Sequence, residues 1–447
     1  MTMTPSGSSN VARASRFNVI QLNLGAPTSS DTAVASRSET GRWNAAARFY
    51  RYVVVFSLPL IAALLFVVPV SPLSLIGVPL IFLLRWAALG SPIPFTRVNG
   101  AMLVFLLALM WGMLRAPDFS ETTSIIARLL AGVVTLYVVV DYADRPSRVW
   151  NVAAALVVFG VTIALAAPFV TEPLTSKFIN ASFLFHPLSP DSIYVSNPNM
   201  VASALSPIVP LAVALIFQDE RFLRVLGSIS LAPPLIMLLL LQARGAIVAV
   251  ITGLAVFGSL YRRWLIVLLI LVGLILLGVD FARVRIPLSL GDFDLNPSSA
   301  SSSLEGRQQV WAFSAALITQ QPLGIGINAY PRYAAQVAGD FLTEPQREQA
   351  HNLFLQVGLE MGLVGLVAFT VLFTYALFAS WHAYRRNVKR TLALGIFAAL
   401  IVILVNGLFE TNMWGNRSVV ILWALFGMAI ALGRFDARQR SDCRGSL

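Results

Sequence analysis

The sequence predicts an all-α polytopic membrane protein with about twelve transmembrane helices and one long, partly helical loop on its outer face. Three observations carry that expectation. Hydrophobic residues make up 57% of the 447-residue chain and charged residues only 12%, against about 45–50% and about 25% in soluble globular chains. Apolar runs of about 20 residues, the length that crosses a bilayer as a helix, recur along most of the chain. Lys and Arg concentrate in alternate connecting loops, the asymmetry expected when those loops stay on the cytoplasmic side.

Taken in order, residues 1–51 are rich in Ser, Thr, Ala and Arg and contain no apolar core, which predicts a disordered cytoplasmic tail rather than a cleaved signal peptide. The transmembrane domain, 52–433, follows. Its spans run roughly Tyr52–Val70, Leu73–Leu89, Val98–Leu114, Ile125–Val140, Val149–Phe169, Met200–Phe217, Leu223–Leu241, Gly245–Tyr261, Leu265–Val279, Leu353–Ser380, Leu392–Leu408 and Ser418–Leu432, with Pro72 and Pro79 interrupting the second. Residues 434–447 form a second cytoplasmic tail. The N-terminal tail, Arg85, Arg97, "DYADRPSR", "QDERFLR", "YRRW", "HAYRRNVKR" and "GRFDARQRSDCR" together hold about 22 of the 32 basic residues. By the positive-inside rule that side is cytoplasmic, and an even number of spans brings both termini to it. The net charge of +11 is thereby read as topology and not as a nucleic-acid surface. The single cysteine, Cys443, lies in the C-terminal tail, so no internal disulfide framework is possible.

The opposite face carries two long polar segments, about 170–199 and about 280–351, well beyond the roughly 12–15 residues at which loops become uncommon without a function or disorder. In the second, Ser298 to Ser303 read as a flexible lead-in. "GRQQVWAFSAALITQQ" has amphipathic helical spacing, with Val310, Phe313, Leu317 and Gln320 near one face. "PLGIGINAY" reads as a turn and "YPRYAAQVAGDFL" as a further short helix.

Arginines should be scarce on an outer face, yet several cluster there. Arg244, in "LLLLQARGAIVAV", sits in a connection only a few residues long between two spans, where a charge needs a partner or must snorkel. Arg307 begins the loop helix, and Arg283, Arg285, Arg332 and Arg347 are further candidates. A guanidinium pairs bidentately with phosphate and stays protonated, and a helix start adds free N–H groups. Two such residues at an outer membrane face suit a lipid-linked phosphate or diphosphate. The chain has no P-loop, so a synthetic reaction there must use a pre-activated donor such as a polyprenyl-diphosphate sugar.

Other signals are weaker. Asp292 and Asp294 in "GDFDLN" have the spacing of a divalent-metal pair in sugar-nucleotide transferases, but a solvated loop explains them as well. "GIGINA" follows no strand, so it is not read as a dinucleotide-binding loop. Three scattered histidines, His186, His351 and His382, spell no metal site. Glu410 and Trp414 sit at an outer rim, as cavity lining or as interface anchors.

Arg244-Gly245 at the start of a span, Arg307 at the head of a loop helix, "QPLGIGINAY", and "AHNLFLQVGLEMGLVGLVAF" opening the next span together resemble the O-antigen ligase family, within the superfamily it shares with O-antigen polymerases and bacterial O-oligosaccharyltransferases. The last stretch fits the ligase-type pattern His-Asn-x9-Gly-x-x-Gly at His351, Asn352, Gly362 and Gly365. The resemblance covers about Arg244 to Phe369. It implies a membrane-embedded glycosyltransferase of the GT-C type that moves a finished glycan from undecaprenyl diphosphate to the lipid A–core oligosaccharide at the periplasmic face of the inner membrane. It also implies inversion at the anomeric carbon, with no metal and no other cofactor. The family's catalytic histidine matches His351 and its outer arginines match Arg244 and Arg307, the expected diphosphate-binding pair. Arg332, Arg285 and Asn352 are additional candidates for substrate contact. His351 would take the acceptor's proton, hydrogen-bond the diphosphate or orient the acceptor.

A polymerase of the same superfamily would join repeat units to one another. A protein O-oligosaccharyltransferase often carries additional outer-face sequence for its protein acceptor, for which this chain has little room. A transporter would explain the spans but not the arginine-rich outer loops beside nearly charge-free mid-spans. On a continuous helix, residues 351, 358, 362 and 365 would share one face. Gly358 and Gly362 would then admit a neighbouring helix closely.

Overall fold

The computed structural model describes residues 49–50, 74–171, 184–186, 196–263, 297–411, 414 and 418–445. They form thirteen α-helices: α1 Ser74–Leu89, α2 Asn99–Leu114, α3 Phe119–Tyr142, α4 Pro146–Val170, α5 Pro198–Leu205, α6 Ile208–Ile216, α7 Arg221–Leu241, α8 Arg244–Tyr261, α9 Pro297–Gln320, α10 Tyr330–Val337, α11 Leu353–Arg385, α12 Arg390–Gly407 and α13 Val419–Gly445. Two 3₁₀ turns, Gly339–Phe341 and Glu344–Arg347, follow α10. No strand is present among the described residues; a lone parallel bridge joins Thr171 to Ser196. The protein is an all-α membrane protein. Seven described segments are long and apolar enough to cross a bilayer: 122–142, 146–170, 198–216, 221–241, 244–261, 353–385 and 390–407. Three shorter apolar helices lie at 79–89, 99–114 and 419–435. Seven of the predicted spans coincide with the long segments and three with these shorter helices. The remaining two, Tyr52–Val70 and Leu265–Val279, lie outside the described residues, as do Arg283, Arg285, Asp292 and Asp294.

Local chemistry explains many boundaries. Asn197 caps α5 by accepting from the Asn199 N–H at 2.9 Å, with Pro198 at the first helical position. The span predicted at Met200–Phe217 is two helices, α5 and α6, joined through Ser206 and Pro207. Helix α7 ends at Gln242, whose left-handed backbone turns the chain straight into α8. Helix α9 starts at Pro297, so the predicted serine lead-in is helical. Its buried face is Val310, Ser314, Leu317 and Ile318, while Gln320 is exposed. The turn that follows α9 covers this face, and that moves the buried stripe away from Gln320.

The main core lies where α13 packs on α3, α12 on α8, α6 on α7 and α11 on α2. An aromatic cluster of Phe105, Phe369, Trp414, Trp423 and Phe426, with centroids 5.3–6.4 Å apart, ties α2, α11 and α13 together. A second, smaller core sits under the loop, where Val310, Leu317 and Ile318 of α9 meet Ile325, Tyr330 and Ala334 and rest on Leu359 of α11.

Helix α11 departs from its sequence reading. At Gly362 the backbone leaves the helix, with φ 71° and ψ −176°, a conformation open essentially to glycine alone. The 321–327 turn enters this break. Ile325 N–H donates to the Leu359 carbonyl at 2.7 Å, and Leu363 N–H donates to the Pro322 carbonyl at 2.8 Å. The other side of the turn is held by α2, where Trp111 Nε1 donates to the Leu323 carbonyl at 2.9 Å and the Gly112 carbonyl accepts from Ile327 N–H at 3.0 Å. These bonds give backbone groups of both the break and the turn protein partners, as irregular backbone withdrawn from water requires. The expectation that Gly362 admits a neighbouring helix is therefore corrected: it admits a loop. Nor do residues 351 to 365 share one helical face, because α11 starts only at Leu353 and breaks at Gly362.

The two ends of the bundle differ. One end gathers Arg145, Arg148, Arg221, Arg224, Arg262, Arg385 and Arg390 at helix termini. The other end brings together the starts of α5, α8 and α11, the close of α12, and the N-terminal half of α9.

Candidate active site

At that second end the corner 406–411, which closes α12, is the meeting point. His351 precedes α11 and adopts a left-handed backbone with φ 48°. Such a conformation is uncommon outside glycine, although histidine tolerates it better than most residues. Three contacts fix it. Trp311 Nε1 on α9 donates to the His351 carbonyl at 3.2 Å. Ala350 N–H donates to Gln356 Oε1 at 3.0 Å. Asn352 caps α11, its Oδ1 accepting from Phe354 N–H at 3.0 Å and Leu355 N–H at 3.1 Å, while its Nδ2 donates to the Leu408 carbonyl at 3.2 Å. Asn352 is thus largely occupied in tying the start of α11 to the end of α12.

That tie brings His351 to Glu410. His351 Nδ1 lies 3.8 Å from Glu410 Oε2, too far for a hydrogen bond. It is otherwise buried without a partner among the described residues. The histidine side chain keeps 22% of its surface open, and the glutamate only 6%. Glu410 Oε1 accepts from Arg307 at 2.8 Å and from Asn199 Nδ2 at 3.0 Å. Arg307 remains 26% exposed, so part of its donor fork faces the open side. One buried carboxylate therefore links a histidine on one side to an arginine on the other.

Two further elements brace the carboxylate. Asn406 Nδ2 donates to Ser203 Oγ at 2.8 Å, and Ser203 Oγ donates to the Asn199 carbonyl at 2.7 Å, which sets the start of α5 against α12. Thr411 Oγ1 donates to Gln349 Oε1, fastening the corner to the residues before His351. Arg244 opens α8 at the same end. A Cβ added at the next residue, Gly245, would lie 3.6 Å from Asn406 Oδ1 and 3.6 Å from Phe409 Cβ, so α8 enters against this corner.

Of the sequence candidates, the structure brings His351 and Arg307 to Glu410 and Asn352 to Leu408 in the same corner, with the α8 start that carries Arg244 beside it. Arg332, on α10, lines a different cavity together with Arg115. Arg347 donates to the Leu342 and Gly339 carbonyls, at 2.9 and 2.5 Å, and so braces the loop. Arg285 lies outside the described residues.

The sequence marked Glu410 as cavity lining or an interface anchor, and its patterning did not single out Glu360. Glu360 is buried in α11 and accepts from Gln356 Nε2 at 2.8 Å, Asn328 N–H at 3.1 Å and Trp414 Nε1 at 2.6 Å. It joins the loop turn and the segment after Glu410 to one helix. The available signal was an acid inside an apolar run, which defaults to a role.

A histidine beside a buried carboxylate can accept a proton, because the nearby negative charge stabilises the imidazolium that forms. Glu410→Gln keeps the shape and removes the charge. It is expected to lower turnover by roughly tenfold to a hundredfold with KM little changed. A kcat within a factor of about two of wild type would remove Glu410 from this role.

The family model described as O-antigen ligase matches residues 229–370 of the chain. The matched segment carries Arg244, Arg307 and His351 and ends before Glu410. No match was found among curated proteins.

Proposed function

We propose, from the match of the O-antigen ligase family model to residues 229–370, that the chain is a member of that family and transfers a finished O-antigen glycan from undecaprenyl diphosphate to the lipid A–core oligosaccharide. The end of the bundle bearing His351 faces the periplasm and the arginine-rich end faces the cytoplasm, in accord with the positive-inside rule. The observation that carries the reading is the placement of His351 and Arg307 on either side of buried Glu410, with the start of α8, which carries Arg244, against the same corner.

The donor's diphosphate docks on Arg244 and on the open part of the Arg307 fork, and its polyprenyl chain lies in the bilayer. The acceptor hydroxyl gives its proton to His351 as its oxygen attacks the anomeric carbon. The bond from that carbon to the diphosphate oxygen breaks, and the electron pair leaves with the diphosphate. The guanidiniums balance the charge that grows there. Glu410 balances the charge on the histidine. One displacement inverts the anomeric centre. Arg307 thereby couples the two halves, because its contact with Glu410 fixes the distance between the leaving group and the base.

The test is reconstitution of the purified protein in liposomes with undecaprenyl-diphosphate-linked glycan and lipid A–core. Glycan joined to the core, with undecaprenyl diphosphate released, is the expected product. Glycan joined only to glycan would make the protein a polymerase, and no transfer to either acceptor would reject the proposal.

A further inference from the structure

The loop turn that fills the break in α11 separates two adjoining cavities, neither of which touches His351 or Glu410. One, about 320 Å³, is lined by Arg115, Pro117, Ile325, Arg332, Tyr333 and Gln336. The other, about 330 Å³, is lined by Leu107, Trp111, Pro322, Leu323, Met361 and Val364, all apolar. One side-chain contact joins their linings. Trp111 walls the apolar cavity, and the Arg115 guanidinium lies over its ring at 6.0 Å from the centroid. Leu107, Trp111 and Arg115 follow one another at four-residue intervals, about 6 Å of rise each, so they descend one face of α2. Leu107, Leu323 and Val364 are more than half exposed, at 52%, 55% and 54%, so the apolar cavity opens outward.

The chemistry at the head of this groove is unbalanced. Among the described residues no ion pair and no side-chain hydrogen bond is formed by Arg115 or Arg332, and no acid lines their cavity. Asp118, the acid nearest Arg115 in sequence, turns its carboxylate to the Ser120 N–H at 2.8 Å. Two guanidiniums therefore face one cavity with no counter-charge among the described residues, beside an apolar trough.

We propose that Arg115 and Arg332 bind the phosphate of a membrane lipid whose chain lies in the trough of Leu107, Trp111, Leu323 and Val364, at a site separate from the reaction centre. Two forks converging on one phosphate supply charge-assisted hydrogen bonds. The trough supplies the specificity for a lipid over a free anion, because each buried methylene of the chain adds affinity. The site acts on the loop turn directly, since the lipid would contact Leu323 and Ile325 on either side of it.

The experiment is native mass spectrometry of the purified full chain in detergent, titrated with dioleoyl phosphatidic acid, dioleoylglycerol or inorganic phosphate. Phosphatidic acid is expected to bind at least about tenfold more tightly than either of the others. The pair Arg115→Gln with Arg332→Gln should weaken it by about tenfold or more, with an unchanged melting profile. Should the double variant fail to fold, Arg332→Gln, at an exposed position, carries the same test. Arg307→Ala should leave phosphatidic acid binding unchanged, which keeps this outcome separate from the fate of the proposed transfer reaction. Equal binding of inorganic phosphate would make this a free-anion site and overturn the lipid assignment. So would wild-type affinity in the arginine variants, or loss of binding in Arg307→Ala alone.

Discussion

Replacing His351 with alanine is expected to lower glycan transfer by about 10²–10⁴-fold, the usual contribution of a positioned general base. Protein level and membrane insertion should stay normal. The imidazole leaves, but its fixed surroundings do not depend on it. Trp311 bonds to the main-chain carbonyl, Asn352 still caps α11, and Glu410 still pairs with Arg307 and Asn199. The left-handed backbone at 351 is the one structural risk, because alanine tolerates φ of 48° poorly. His351→Asn removes that risk, since asparagine populates this region readily and cannot serve as the base. Both variants should fail alike in single-turnover transfer from a lipid-linked glycan. Near-wild-type transfer by either one would show that the proton leaves by another route.

Replacing Gly362 with alanine should damage the fold more than any other single-methyl addition considered. A Cβ there would lie 2.5 Å from the Leu323 carbonyl carbon, 2.6 Å from the Pro322 oxygen and 2.9 Å from Gly324 N. All are backbone atoms of the inserted turn and cannot rotate away. Backbone strain alone costs about 1–3 kcal/mol, and expelling the turn adds the loss of the hydrogen bonds at Ile325 and Leu363. A total of roughly 3 kcal/mol or more is expected, over a hundredfold in the folding equilibrium. Gly90 supplies the control, with φ 72° and nothing within 4 Å of an added Cβ. Thermal unfolding in detergent should separate the two, with Gly90→Ala showing only the strain. Equal melting of the two variants would mean that the turn does not depend on the break.

How much of this was legible in the sequence follows from the kind of information each residue carries. Apolar run length marked the helices, and alternating basic loops assigned their ends, so His351, Arg307 and the start of α8 were expected at one face before any contact was known. Asn352 was legible in part: a polar residue before an apolar run is a helix-start signal, yet its partner at Leu408 lies 56 positions away. Glu410 appeared as an acid at a rim, but nothing in its surroundings in the chain points to Arg307, which is 103 positions distant. Glycine spacing misled at Gly362, because the same spacing serves a smooth helix that packs on another and a helix that breaks to accept a loop.

The sequence by itself marked the apolar segments suited to cross a membrane, the end that collects most of the arginines, the opposite end that carries His351, and a long loop at that opposite end. Those properties follow from length, hydropathy and charge, each read locally. Only the tertiary structure decided that α11 breaks at Gly362, that the 321–327 turn satisfies the broken backbone, and that Glu410 stands between His351 and Arg307. Backbone bonds across a break and ion pairs between helices depend on which distant segments meet. No periodicity encodes that, because it is settled by packing and by the need to pair every polar group withdrawn from water.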